Sequence, residues 1–209
     1  MVPNYYITTP IYYVNDVPHI VHAYTTLACD VIARFKRLDG FNVFFLTGTD
    51  EHGQKVELAA KNKGGAPKEF VDEVSQNFRS LVKGMNFSND DFIRTTEKRH
   101  LNSCEKICKK LLENGSIYLD KYSGWYSVRD EAFYSETEIV DGTAPSGAPV
   151  EWVEEPSYFF NLSKLEDKLL KFYEENNNFI LPNSRRNEVI SFVKGGLKDL
   201  SVSRTSFTW

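Results

Sequence analysis

Two histidines and an aspartate offer most of the chemistry in this sequence. His19 and His22 stand at i and i+3 in PHIVH, directly behind Pro18. If a helix starts there, both imidazoles share one face of its first turn. Pro18 at that turn leaves backbone N–H groups facing outward, and the helix dipole adds about half a positive charge. Such a mouth receives an anion, and phosphate oxygens suit it well. Two other readings stay open: ordinary exposed histidines, or part of a metal site that Asp50, Glu51 and His52 would complete. Asp50 lies in GTDEHG. Its carboxylate can pair with a substrate ammonium or cap a helix. Ile11, Tyr12 and Tyr13 either wall an apolar pocket or pack into a core.

The surrounding elements decide whether these groups meet. Residues 5–14, YYITTPIYYV, are β-branched and aromatic without polar alternation, the pattern of a buried parallel strand. Asn15, Asp16 and Pro18 supply a turn and a helix start, and Leu27, Val31, Phe35 and Leu38 follow at helical spacing up to Gly40. Residues 41–47, FNVFFLT, read as a second buried strand, with GTDEHG as a polar loop and a short helix over 54–62. Strand, helix, strand is a βαβ unit, whose ligands bind past the carboxyl ends of its strands. PHIVH and GTDEHG both occupy such ends. A helix over 67–82, a short strand over 91–95 and a helix over 97–114 come next. Residues 116–160 then turn rich in Tyr, Trp, Gly and Pro, as in a small β insertion. Ser163 and Glu166 read as a capping box opening another helix, with Leu165, Leu169 and Phe172 facing inward. Residues 184–194 read as helical.

Composition narrows the class. The chain has 209 residues, 41% hydrophobic and 14% aromatic, enough for one large domain or a domain with an insertion. A net charge of −4 argues against binding nucleic acid by bulk charge. No run of about 18 apolar residues exists to cross a membrane, and the first residues resemble neither a signal nor a transit peptide. Cys29, Cys104 and Cys108 form no CxxC pair and read as buried small hydrophobes in a reducing compartment.

Taken together, TTPIYYVN, HAYTT, RLDGFNVFFLTGTDEHG, DDFIRTTE, YSGWYSVRDEAFY, RNEV and DLSVSR resemble the class I aminoacyl-tRNA synthetases, and among them those for methionine. The run from Thr8 to Gly53 is the most specific part. The resemblance implies an α/β fold: the first half of a Rossmann-type parallel sheet (residues 1–115), a small β-rich connective insertion (116–160), and a helical return toward the catalytic domain (161–209). It implies methionine, ATP with Mg2+, and tRNA(Met) as substrates, and a cytoplasmic setting. By position, His19 and His22 match the two histidines of the HIGH-type signature, which steady the triphosphate. Asp50 matches the carboxylate that holds the methionine amino group. Ile11 and Tyr13 match the methionine pocket, with Pro10 beside them. Arg204 in SVSR matches an arginine near the active site.

Three departures from the family pattern shape the expectations. The signature has glycine before its second histidine, where adenine approaches the backbone; here Val21 stands there, and weaker ATP binding is expected. Many relatives close the insertion with a zinc knuckle, but the matching positions read Ser127, Asp130 and Ala144, so no zinc is expected. The sequence also ends before a KMSKS loop or an anticodon-binding domain. The expectation is a truncated piece that lacks turnover alone, because a half-built site loses most of its preorganisation. The alternative expectation is a non-catalytic relative that keeps a nucleotide or tRNA site.

Overall fold

The computed structural model describes residues 2–130 and 132–203, and only the backbone of Tyr122 and Glu155. The chain divides into two compact units, one running to Glu105 and the other from Lys106.

The first unit is a parallel α/β layer. Strand β1 (Asn4–Thr8) leads through β2 (Tyr12–Tyr13) to helix α1 (Ile20–Leu38) and strand β3 (Asn42–Asp50). Helices α2 (Gln54–Lys63) and α3 (Pro67–Gly84), strand β4 (Asp91–Arg94) and helix α4 (Lys98–Glu113) follow. β3 is the central strand: β1 and β2 pair with it in parallel along one edge, and β4 pairs in parallel along the other. The βαβ unit expected from the sequence is therefore present, with β1 and β3 adjacent.

Two strand boundaries differ from the sequence reading. The stretch 5–14 is two strands, not one, because Thr9, Pro10 and Ile11 interrupt it. Pro10 has no N–H to give a ladder. The second strand does not stop at Thr47. It runs through Gly48 and Thr49 to Asp50, so the first half of GTDEHG is strand rather than loop. Gly48 is there for space: a Cβ on it would lie 2.0 Å from the Ile93 carbonyl oxygen of β4.

The core of this unit joins Tyr12, Val14, Val56, Ala60, Phe70, Val71, Val74, Phe78 and Phe92. α3 contributes four of these, Phe70, Val71, Val74 and Phe78, at the helical spacing read from the sequence. α1 behaves differently. It buries Thr26, Asp30 and Ala33, whereas Val31, Phe35 and Leu38 on its apolar stripe are exposed. Asp30 is held by the Ser88 backbone N–H at 2.6 Å and by Arg34, and Arg37 reaches Asp90, so polar groups tie α1 to the turn before β4.

The second unit is built on a long antiparallel ribbon. β5 (Ile117–Ser127) pairs along its length with β7 (Glu151–Phe160). β6 (Ala132–Tyr134) extends one edge and β8 (Leu200–Ser201) the other. Helices α5 (Glu166–Glu175) and α6 (Asn183–Lys194) complete it. The expected capping box is not formed. Ser163 donates instead to Asp199 at 2.6 Å, and Glu166 accepts the Leu197 backbone N–H at 2.9 Å. The cysteine expectation is corrected as well: Cys29 is half-buried, and Cys104 and Cys108 are exposed on α4.

Candidate functional site

The candidate site lies at the carboxyl end of the parallel sheet, around the mouth of α1. His19 is the helix N-cap, in extended backbone geometry, and Pro18 precedes it rather than occupying the first turn. The imidazoles cap their own helix. His22 Nδ1 accepts the His19 backbone N–H at 3.0 Å, and His19 Nδ1 accepts the Val21 backbone N–H at 3.4 Å. With both Nδ1 atoms accepting, each neutral ring carries its proton on Nε2. Each can therefore offer an Nε2–H donor to a ligand. The two rings lie against one another, centroids 3.9 Å apart.

His22 is held from behind by aromatic side chains. Tyr12 stands 4.8 Å from its ring and Phe78 5.2 Å, both edge-on. Tyr12 is itself buried. Its hydroxyl hydrogen-bonds Thr26 at 2.7 Å and donates to the His22 carbonyl at 3.3 Å, which binds β2 to the first turns of α1. Burial, with His19 beside it, holds the His22 imidazole below the ordinary histidine range. Tyr12 therefore belongs to the core reading and not to a pocket wall. Its value to the site is support, and the signal in the sequence was only its place on a strand end before the helix.

β2 also carries the link to Asp50. In the parallel ladder Tyr12 lies across from Thr49, and Tyr13 lies across from Asp50. The Asp50 carbonyl accepts the Val14 backbone N–H at 3.3 Å. The structure thus brings the His22 ring and Asp50 to one strand end, bridged by two consecutive tyrosines. Tyr13 is half-buried beside the core, while Pro10 and Ile11 are exposed in the break between β1 and β2. Val21 lies in the first turn of α1 and is 58% exposed. Arg204 lies outside the described residues. The serines before it are anchored: Ser157, buried on β7, meets the Ser201 hydroxyl at 2.6 Å and donates to the Ser203 carbonyl at 3.1 Å.

Glu51, adjacent to Asp50, was considered in the sequence only as a metal ligand. It is fully buried and bound by Arg94, with Nε at 2.7 Å and Nη2 at 3.0 Å. Among the described residues no group of three or more His, Cys, Asp or Glu side chains gathers as a metal site.

At the expected knuckle positions, Ser127 is buried and donates to Asp130 at 3.1 Å. The same carboxylate oxygen accepts the Tyr134 hydroxyl at 3.0 Å and the Ser146 hydroxyl. Ala144 closes the loop through its backbone N–H to Ala148 at 2.8 Å. No described helix is long and apolar enough to cross a membrane.

Comparison with known proteins identifies the family. The family model for class I tRNA synthetases (M) matches residues 5–149 and 143–209. The methionine–tRNA ligase of Rickettsia conorii is 69% identical over 206 residues, which are 98% of this chain and 41% of that protein. That of Mesorhizobium japonicum is 57% identical over 210 residues, again 98% of this chain and 41% of that protein. The methionyl-tRNA synthetase of Mycobacterium tuberculosis in complex with methionyl-adenylate superposes with a TM-score of 0.93 at 52% identity, covering 100% of this chain and 42% of that one. The chain therefore spans about two fifths of the length of these relatives, and its mixed α/β fold with a parallel sheet is that of their Rossmann-like catalytic region. With the family model matched along nearly the whole chain, the protein belongs to the class I tRNA synthetases of the (M) type.

Proposed function

We propose that the protein carrying this chain is a methionine–tRNA ligase. It joins methionine to ATP, taken as the Mg2+ complex, and passes the methionyl group to tRNA(Met). The observation that supports this reading is the strand end where the His22 ring lies against Tyr12 and, one residue on, Tyr13 pairs in register with Asp50. In the first step a methionine carboxylate oxygen attacks the α-phosphorus of ATP. A P–O bond to the β-phosphate breaks, and pyrophosphate leaves with that electron pair. Asp50 pairs with the methionine ammonium and keeps the carboxylate aimed. His19 and His22 donate through Nε2–H to the phosphate oxygens as charge moves onto the leaving group. Ile11 and Tyr13, with Pro10, form one wall for the methionine side chain.

We read residues 1–115 as the first half of the catalytic domain, 116–160 as the connective insertion and 161–209 as the return, in a cytoplasmic enzyme. The Ser127, Asp130 and Ala144 set is a poor match for zinc, which takes thiolate or imidazole ligands. Its oxygens already answer one another through Ser146 and Tyr134. Purified protein should contain no stoichiometric zinc, and one zinc per chain by metal analysis would contradict this.

Val21 bears on ATP. A branched side chain at the helix mouth occupies space where the family signature leaves backbone exposed. Val21→Gly should tighten ATP binding by about 5-fold or more, the lower end of an overpacking cost. Equal ATP affinity of the two forms, measured by calorimetry, would refute the steric argument. Val21 also favours a second reading, a relative that retains nucleotide without turnover. Methionine-dependent exchange of pyrophosphate into ATP by the protein carrying this chain separates the two: exchange supports the ligase, and tight ATP binding with no exchange supports the binding module. Running the assay with leucine, valine and isoleucine tests the amino acid.

A further inference from the structure

The His22 ring is restrained by more than its own helix. The last torsion of a histidine side chain is soft, so one hydrogen bond at Nδ1 does not fix where Nε2 points. His22 accepts the His19 N–H through Nδ1 at 3.0 Å, and neighbouring rings add to that restraint. Phe78 of α3 stands 5.2 Å from the His22 ring at 69°, and Tyr12 stands 4.8 Å away at 63°. Phe78 and Tyr12 stack on each other at 5.7 Å and 19°, so the two rings form one wall behind the imidazole. Stacked and edge-on contacts at such separations are the arrangements aromatic rings prefer. The wall is firmly seated: Phe78 is 1% exposed and belongs to the same core cluster as Val71 and Val74.

The two rings of the wall differ in what else they do. The Tyr12 hydroxyl also reaches Thr26 and the His22 carbonyl, so changing Tyr12 disturbs the helix backbone together with the ring. Phe78 has no polar group, and what it gives His22 is a flat, close-packed surface. Side chains in a filled core sit in defined rotamers, which makes that surface exacting. A transition-state donor needs this kind of restraint, because its benefit depends on being aimed before charge develops.

We infer that Phe78 is a positioning residue for the transfer step: from α3 it holds the His22 ring so that Nε2–H faces the phosphates of ATP. This rests on the reading of His22 as a phosphate donor. On that reading Phe78 touches no substrate and acts through His22. Its effect on rate must therefore vanish once the imidazole is gone, a condition that a purely structural core residue does not meet.

The test is a double-mutant cycle in methionine-dependent pyrophosphate exchange by the protein carrying this chain. Phe78→Leu keeps an apolar side chain and loses the flat ring. It should lower kcat by about 10-fold with KM for methionine within about 2-fold of wild type, since a misplacement of about 1 Å costs up to roughly 100-fold in the transition state. In the His22→Asn background the same substitution should change kcat by less than about 2-fold, because the group it positions is absent. Val74→Ala, one turn earlier on the same buried face, loosens the core and should leave kcat near wild type. Phe78→Met refills the space with an unbranched chain, should show the same pattern as Phe78→Leu, and serves if that variant does not fold. Wild-type kcat in a folded Phe78 variant would overturn the proposal. So would an undiminished loss in the His22→Asn background, or a Val74→Ala enzyme slowed as much as Phe78→Leu; either result leaves Phe78 as core packing. Unimpaired kcat in His22→Asn itself would instead remove the phosphate role of His22, and this inference with it.

Discussion

Asp50→Asn should lower kcat/KM for methionine in pyrophosphate exchange by two to three orders of magnitude. The substitution keeps the size of the side chain and one acceptor oxygen, so β3 and its pairing with Tyr13 should persist. What it deletes is the charge that, on the proposed reading, faces the ammonium. A charge-assisted hydrogen bond contributes about 1.5–3 kcal/mol. Leaving the ammonium without its partner brings the loss to about 3–4 kcal/mol, the lower part of the range for a broken ion pair. At about 1.4 kcal/mol per decade, the combined expectation is roughly 100- to 1,000-fold. The loss should fall on methionine, with KM for ATP within about 2-fold of wild type. An Asp50→Asn enzyme with methionine kinetics like wild type would show that the ammonium is held elsewhere, and the assignment of the whole strand end would fall.

Much of this arrangement was legible because apolar periodicity survives folding. The β-branched runs at 5–14 and 41–47 became parallel neighbours, and the Phe70, Val71, Val74 and Phe78 face of α3 became core. The misreadings share one cause: local rules were overruled by partners distant in sequence. Gly48 reads as a strand breaker, yet it extends β3 because Ile93 of β4 passes so close that only glycine fits. Ser163 and Glu166 have the spacing of a capping box, but Asp199 and the Leu197 N–H compete for them. The stripe on α1 is apolar at helical spacing, yet the helix seats Thr26, Asp30 and Ala33 instead.

The site shows the same division. PHIVH marked a helix mouth, and a proline before two histidines was sufficient signal. The mutual capping by His19 and His22 was not visible, since imidazole is an uncommon cap and Asp, Asn, Ser and Thr lead that role. Two adjacent acids, Asp50 and Glu51, could not be told apart by type or spacing. Arg94, remote in the chain, marks Glu51 as the one consumed inside the fold.

The imidazole pair allows the second large effect to be separated from folding. On the proposed reading His22 has two jobs on two nitrogens: Nδ1 accepts the His19 N–H, and Nε2–H would donate to phosphate. His22→Asn supplies a side-chain oxygen at N3 that can take over the first job and offers nothing at the reach of the second. Folding stability should therefore change by no more than about 1 kcal/mol, the scale of a helix cap. By contrast, kcat for exchange should fall by about 100- to 1,000-fold, the scale seen when one preorganised donor is removed from a transition state. Methionine affinity should be unchanged. Acidification gives an independent check on the wild type. Burial and His19 hold His22 below about 6.5, its unfolded value, so as pH drops through that value the unfolded chain takes up the proton first. Stability from the neutral, capping imidazole is complete above that value and is lost as pH falls through the lower folded pKa. NMR titration of the His22 ring should place its midpoint below about 6.5. A higher midpoint, or a His22→Asn enzyme with unimpaired kcat, would mean that the ring closes the helix and takes no part in moving charge onto pyrophosphate.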